Sequence, residues 1–178
     1  MLDFFRLTLQ RRSCRKFMPK PVEKEKLLNC VRAARIAPSA CNGQPWSFVV
    51  VNRRSLSRQA AECIRYMGLN RHVTGDSAFI AVVEEKTLLA TRIGGVVRMQ
   101  RYPLIDIGIA TGHILLAAQA QGLSTCVLGW FNEAKLKSLL HIPRRSRIRL
   151  VVAVGYADAG PAPRTGRKAL SELLTYLD

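Results

Sequence analysis

Residues 105–121, IDIGIATGHILLAAQAQ, constrain the chain more than any other stretch. Small and apolar side chains fill it, the polar ones are isolated, and it holds no proline. Such a segment is a long helix that is hydrophobic nearly all round, so it has no face to offer water and must lie at the centre of a domain or of an interface. Gly122 follows directly, the residue type that most readily takes the left-handed conformation closing a helix.

The rest of the chain must build layers around that helix. With 178 residues, 48% of them apolar and 22% charged, it has the size and composition of one globular domain spanning 1–178. Residues 2–10 predict a short helix, and RRSCRKF after it predicts a polar, basic turn. Residues 23–37 carry Leu27, Leu28, Val31, Ala34 and Ile36 near helical spacing, and Pro38 stops them. SFVVVN predicts a strand, 55–69 a helix, and AFIAVVEE a strand without alternation, hence buried on both faces. LSTCVLGWF predicts a short strand and turn, NEAKLKSLLHI a helix capped by Asn132, RLVVAVGYA a strand, and GPAPRTGRKALSELLTYL a basic loop with a terminal helix. The order of elements is mixed α and β, which implies one compact α+β domain.

Several function classes recede. No apolar run approaches the roughly 20 residues that cross a bilayer, and MLDFFRLTLQRRS lacks a signal-peptide core, so a cytoplasmic, non-membrane protein is expected. The five cysteines, Cys14, Cys30, Cys41, Cys63 and Cys126, form no CxxC pair, which argues for reduced thiols over a disulfide framework or a metal site. The net charge of +16 raises polyanions as partners, but the Lys and Arg residues are scattered and no nucleic-acid motif is present. His72, His113 and His141 are dispersed and assemble no catalytic set; Asp106 is either a helix N-terminal carboxylate or a buried, paired one.

Three loops carry the chemistry. Arg11-Arg12-Ser13-Cys14-Arg15 offers guanidinium forks and a hydroxyl suited to phosphate. PSACNGQPWSF, residues 38–48, offers the Asn42 and Gln44 amides, which both donate and accept and so suit the edge of a heterocycle, beside the rigid Pro45 and Trp46. Trp46 is expected to serve packing above all. Pro163-Arg164-Thr165-Gly166-Arg167-Lys168 is a further cationic turn. No Rossmann or P-loop glycine pattern is present, so a nucleotide would need another architecture.

RRSCRKF, AARIAPSACNGQPWSFVVV, DIGIATGHILLAAQAQGLSTCVLGWF, LLHIP, VVAVGY and RTGRKALSEL, in this order, resemble the signature series of the FMN-dependent nitroreductase family from Arg11 to Leu173. The resemblance implies the nitroreductase-like fold with a central mixed β-sheet, and a homodimer with FMN at the subunit interface. It implies Arg11, Arg12, Ser13 and Arg15 at the phosphate and ribityl chain with Arg164 and Arg167. It places Pro38, Ser39, Asn42 and Gln44 on the same flavin from the other subunit, Asn70 near the ring edge, and Leu128, Gly129 and Trp130 close to flavin N5. No substrate contacts carry over to 84–104. The implied activity is ping-pong reduction of nitroaromatic or quinone-type acceptors by NADH or NADPH. The flavin carries the hydride, and no catalytic side chain or metal is required. A specialised dehalogenating or flavin-destroying relative, and a polyanion-binding protein on a degenerate fold, are the alternatives.

Overall fold

The computed structural model describes residues 4–86, 100–158 and 165–178. Four strands form one sheet in the order β1-β2-β4-β3: β1 Trp46–Val51, β2 Ala78–Glu84, β3 Ser124–Leu128 and β4 Arg147–Gly155. β2 and β4 lie inside, so β1 and β3 are its two edges. All three ladders are antiparallel. Among the described residues the parallel component of the expected mixed sheet is a single bridge between Ser13 and Thr125.

The central strands are buried on both faces, as the unbroken apolar run of β2 requires. On one face Ala78, Ile80, Val82, Val152 and Val154 meet α2 (Lys24–Arg35) and α4 (Tyr102–Ala120) through Leu27, Cys30, Ile107, Ile114 and Ala118. On the other, Phe79, Ala81, Val83, Val151 and Ala153 meet α3 (Arg54–Ile64) and α5 (Glu133–Leu139) through Ala60, Ala61, Ile64 and Leu136. Alternation along each strand thus feeds two separate cores, giving an α+β sandwich of helix, sheet and helix.

α4 is the helix that the sequence makes central. It starts at Tyr102, ahead of the expected Ile105, because Pro103 falls in the first turn, where no amide donor is needed. Leu123 N donates to Ala118 O (2.9 Å) and Gly122 N to Gln119 O (3.1 Å), with Gly122 at φ +74°, a paired C-terminal closure. By length and composition alone α4 is long and apolar enough to cross a bilayer, contrary to the expectation that no segment is. Here its Asp106, Ile107, Ala110, Thr111, Ile114 and Ala118 are buried, while Ile105 and Ile109 stay exposed.

Three other expectations are corrected. The 55–69 helix stops at Ile64, since Met67 and Gly68 take positive φ and cannot continue it. RRSCRKF is an extended strip, not a turn: Cys14 N donates to Thr125 O (2.8 Å), Met18 N to Tyr156 O (2.8 Å), and Phe17 bridges Ala157. The terminal helix is absent; residues 165–178 are exposed throughout and make one 3₁₀ turn, Leu170–Glu172.

Candidate cofactor site

The strip 11–17, the 64–73 segment and the end of β3 meet at one edge of the sheet. Ser13 makes one parallel bridge to Thr125, and the strip then leaves β3 to pair with Tyr156–Asp158. Asn70 Nδ2 donates to Trp130 O (2.6 Å), which ties the segment after α3 to the turn that follows β3. Asn132 N donates to Cys63 O (2.8 Å) and reinforces that junction. Arg15 lies close enough to His72 and Cys126 for its charge to act on both. Burial, and then the Arg15 guanidinium, hold the His72 imidazole below its ordinary pKa. Its Nε2 is buried with no hydrogen-bond partner among the described residues.

This edge is open where a ligand would need it. Ser13, Arg15, Gly129 and Trp130 are exposed, and Arg11 and Asn70 are half-buried. A Cβ added to Gly129 would meet nothing within 4 Å, so the backbone of the LGW turn is approachable. Of the predicted turn residues only Leu128 is withdrawn, into the core with Cys126. The arrangement combines guanidinium charge, a hydroxyl, a side-chain amide and a bare backbone, the donor set for a phosphate attached to a planar polar ring. No cluster of metal-ligating side chains occurs among the described residues.

Other predicted residues do not join this edge within one chain. Pro38, Ser39, Asn42 and Gln44 precede β1 and so stand at the opposite edge. Their loop is pre-shaped: Cys41, Asn42 and Gln44 hold φ of 53°, 52° and 44°, Gln44 N donates to Ser39 Oγ (3.0 Å), and Gln44 Nε2 reaches Asn42 O (3.3 Å). Positive φ is costly for such residues and persists only where the surroundings fix it. Asp106 supplies part of that fixing. It is 4% exposed and its Oδ2 accepts from Ala40 N (3.1 Å), so the buried, paired alternative holds. Pro45 and Trp46 are buried and anchor the loop to the core. Arg167 lies in the exposed C-terminal segment, where it closes on Thr165 O, Thr165 Oγ1 and Gly166 O. Arg164 and part of the 84–104 region lie outside the described residues.

Arg12 is half-buried beside Arg11 in the strip. His113 lies against Ile109 O of its own helix (2.9 Å), away from the site residues named above in sequence. His72 and Cys126 escaped the sequence reading as site neighbours; the only signal was the nearness of His72 to Asn70 in sequence.

The sequence model of the nitroreductase family matches residues 8–66 and 57–156. The iodotyrosine deiodinase 1 of Rattus norvegicus is 29% identical over 97% of this chain and 68% of its own. A provisionally named NADH dehydrogenase/NAD(P)H nitroreductase of Archaeoglobus fulgidus is 29% identical over 88% of this chain and 86% of its own. The crystal structure of a nitroreductase family protein from Clostridium novyi NT superposes with a TM-score of 0.73 at 28% identity, covering 88% of this chain and 86% of that one.

Proposed function

The chain belongs to the nitroreductase family, and on that premise we propose that it is an FMN-dependent NAD(P)H oxidoreductase acting as a homodimer on nitroaromatic or quinone-type acceptors. The observation that carries this reading is the convergence at the β3 edge of the arginine strip, Asn70 and the Gly129-Trp130 turn, joined by the Asn70–Trp130 hydrogen bond. FMN, when bound, supplies hydride exchange at N5. Arg11, Ser13 and Arg15 would hold its phosphate and ribityl chain, where each charge-assisted contact is stronger than a neutral one. Asn70, fixed by Trp130 O, would orient the ring edge, and the Trp130 indole, 49% exposed, would bound the space left for substrates.

The loop at the opposite edge supports a shared site. Ser39, Asn42 and Gln44 lie on the loop ahead of β1, the edge strand remote from β3, and a second chain would present them at the β3 edge. Apolar surface for such a contact is at hand. Phe4, Phe5 and Leu9 of α1 (Phe4–Gln10), Ile105 and Ile109 of α4, and Leu173 and Tyr176 of the C-terminal segment are all exposed.

Purified protein titrated with FMN and followed by light scattering tests both statements. The reading expects one FMN per chain on a dimer; an FMN-loaded monomer removes the shared site, and no uptake removes the flavoenzyme. The deiodinase similarity favours a second reading, reductive dehalogenation of a halogenated aromatic. Halide release from such a substrate with NAD(P)H, against reduction of a nitroaromatic, separates the two.

A further inference from the structure

Two buried serines line a cavity of about 110 Å³ where β1 ends and α3 and β2 begin. Ser57, in the first turn of α3, is 2% exposed, and Ser77, just ahead of β2, is 5% exposed. Neither hydroxyl has a hydrogen-bond partner among the described residues, and neither oxygen is sealed in the core, so both are reached from the cavity. Buried hydroxyls are paired as a rule, so two that open onto one cavity point to a ligand held there. Lys20, Arg54 and Asp76 are the charged side chains among the described residues that line it. Asp76 is already engaged: its Oδ2 accepts from Thr74 Oγ1 (2.8 Å) and its Oδ1 lies 3.7 Å from Arg54 Nη2. Lys20 Nζ stands 4.0 Å from the centre of the Tyr156 ring. Two cations thus face one carboxylate. In addition, α3 opens at Arg54 with no side-chain cap, which leaves the positive end of its dipole beside the cavity. Asn52 Nδ2 donates to Val22 O (2.8 Å) and ties two walls of the cavity together.

We propose that this cavity binds one small tetrahedral oxyanion, free inorganic phosphate being the type. The Ser57 and Ser77 hydroxyls donate to its oxygens, and Arg54 and Lys20 balance its charge. Size limits the ligand. A water needs only about 10–15 Å³ of such space, so one phosphate has room, but the cavity is well below the roughly 300 Å³ of a pocket for a drug-sized molecule. Position separates it from the cofactor site. Asn52 follows β1, the edge strand remote from β3, and the six residues of β1, about 20 Å of strand, part it from the 38–44 loop. A bound ion joins residues 20–22, the start of α3 and the lead-in to β2. The inference rests on the two serines and does not depend on the identity of the cofactor.

Calorimetric titration of the FMN-saturated full-length protein with inorganic phosphate, at constant ionic strength set with chloride, tests this. FMN occupies the proposed cofactor site, so phosphate cannot register there. The expected result is one saturable phosphate per chain. Its affinity should fall about tenfold or more in the double variant Ser57→Ala, Ser77→Ala, which loses two hydrogen bonds to a charged ligand. Glycerol phosphate, which carries an added ester arm, should bind more weakly than the free ion. Amide NMR of the unsubstituted protein decides the matter if the double variant fails to fold: the Ser57, Asp76 and Ser77 signals should shift with phosphate and saturate. No saturable binding, which would leave the cavity to water, would overturn the proposal. So would unchanged affinity in a folded double variant, NMR shifts confined to residues 11–15, or glycerol phosphate binding as tightly as phosphate. Protein that takes up no FMN but shows the saturable shifts at Ser57 and Ser77 would remove the flavin reading and support this one.

Discussion

Gly75 holds φ at +89°, and a Cβ built there would lie 2.8 Å from Arg58 Cα, a backbone atom of α3 that cannot swing aside. Gly75→Ala therefore combines a left-handed cost of about 1–2 kcal/mol with a steric clash. It should lower the unfolding free energy by at least that amount, read as a lower denaturation midpoint with an unchanged slope; a variant of wild-type stability would mean that α3 can move away. At the same scale Arg15 is an exposed guanidinium on the strip, placed by the backbone bonds on either side of it. Arg15→Ala should weaken FMN binding by about 1.5–3 kcal/mol, roughly one to two decades. Fluorescence titration checks this, and unchanged affinity would put the phosphate elsewhere. Residue-level reading from sequence succeeded where one side chain has one local job. Asn132 does cap α5, its Oδ1 accepting from Lys135 N (3.0 Å), because capping needs only neighbours three positions away. It could not pair Asp106 with Ala40, which stand 66 positions apart.

At the scale of elements, Glu133 joins α5 to β4. Its carboxylate accepts from Ile148 N (2.9 Å) and Arg147 Nε (3.0 Å), and lies 3.3 Å from Lys137 Nζ. Burial alone would raise its pKa, but these bonds outweigh burial and hold the carboxyl below its usual range. A depressed folded value means that the stabilisation is present above the unfolded pKa, about 4.3, and is lost as pH falls through the lower folded one. Glu133→Gln should destabilise the protein by about 1–3 kcal/mol at pH 7, with the gap to wild type closing below about pH 4. A pH-independent gap would show that shape, not charge, matters there. The helices and strands that pack were legible because the cores they face impose their period. The terminal helix was misread for the same reason in reverse: Leu170, Leu173, Leu174 and Leu177 have helical spacing, yet all are exposed and none joins a core cluster among the described residues. A short helix without tertiary contacts is marginal in water. The strip 11–17 was misread because its order comes from the partners Thr125, Tyr156 and Ala157, over a hundred positions away.

For the whole molecule, the acidic side chains are largely engaged. Glu25 pairs with Arg32, Asp76 with Arg54, Glu84 with Arg149 and Asp158 with Lys16, so the +16 excess is left on exposed Lys and Arg. That excess favours bound anions in general; what singles out the β3 edge is the amide and open backbone beside the charge. The two sets of proposed cofactor residues stand on opposite edges of one sheet, an arrangement intelligible if two chains complete each other's sites. The central claim is that electrons from a nicotinamide pass through FMN held at that edge, with donor and acceptor using one site in turn. Anaerobic mixing of the FMN-loaded protein with NADH or NADPH, followed by absorbance, tests it most directly. The flavin band should bleach with the nicotinamide alone and return when a quinone or nitroaromatic is added. A band that persists with both nicotinamides, or that bleaches only when the acceptor is already present, would contradict the account.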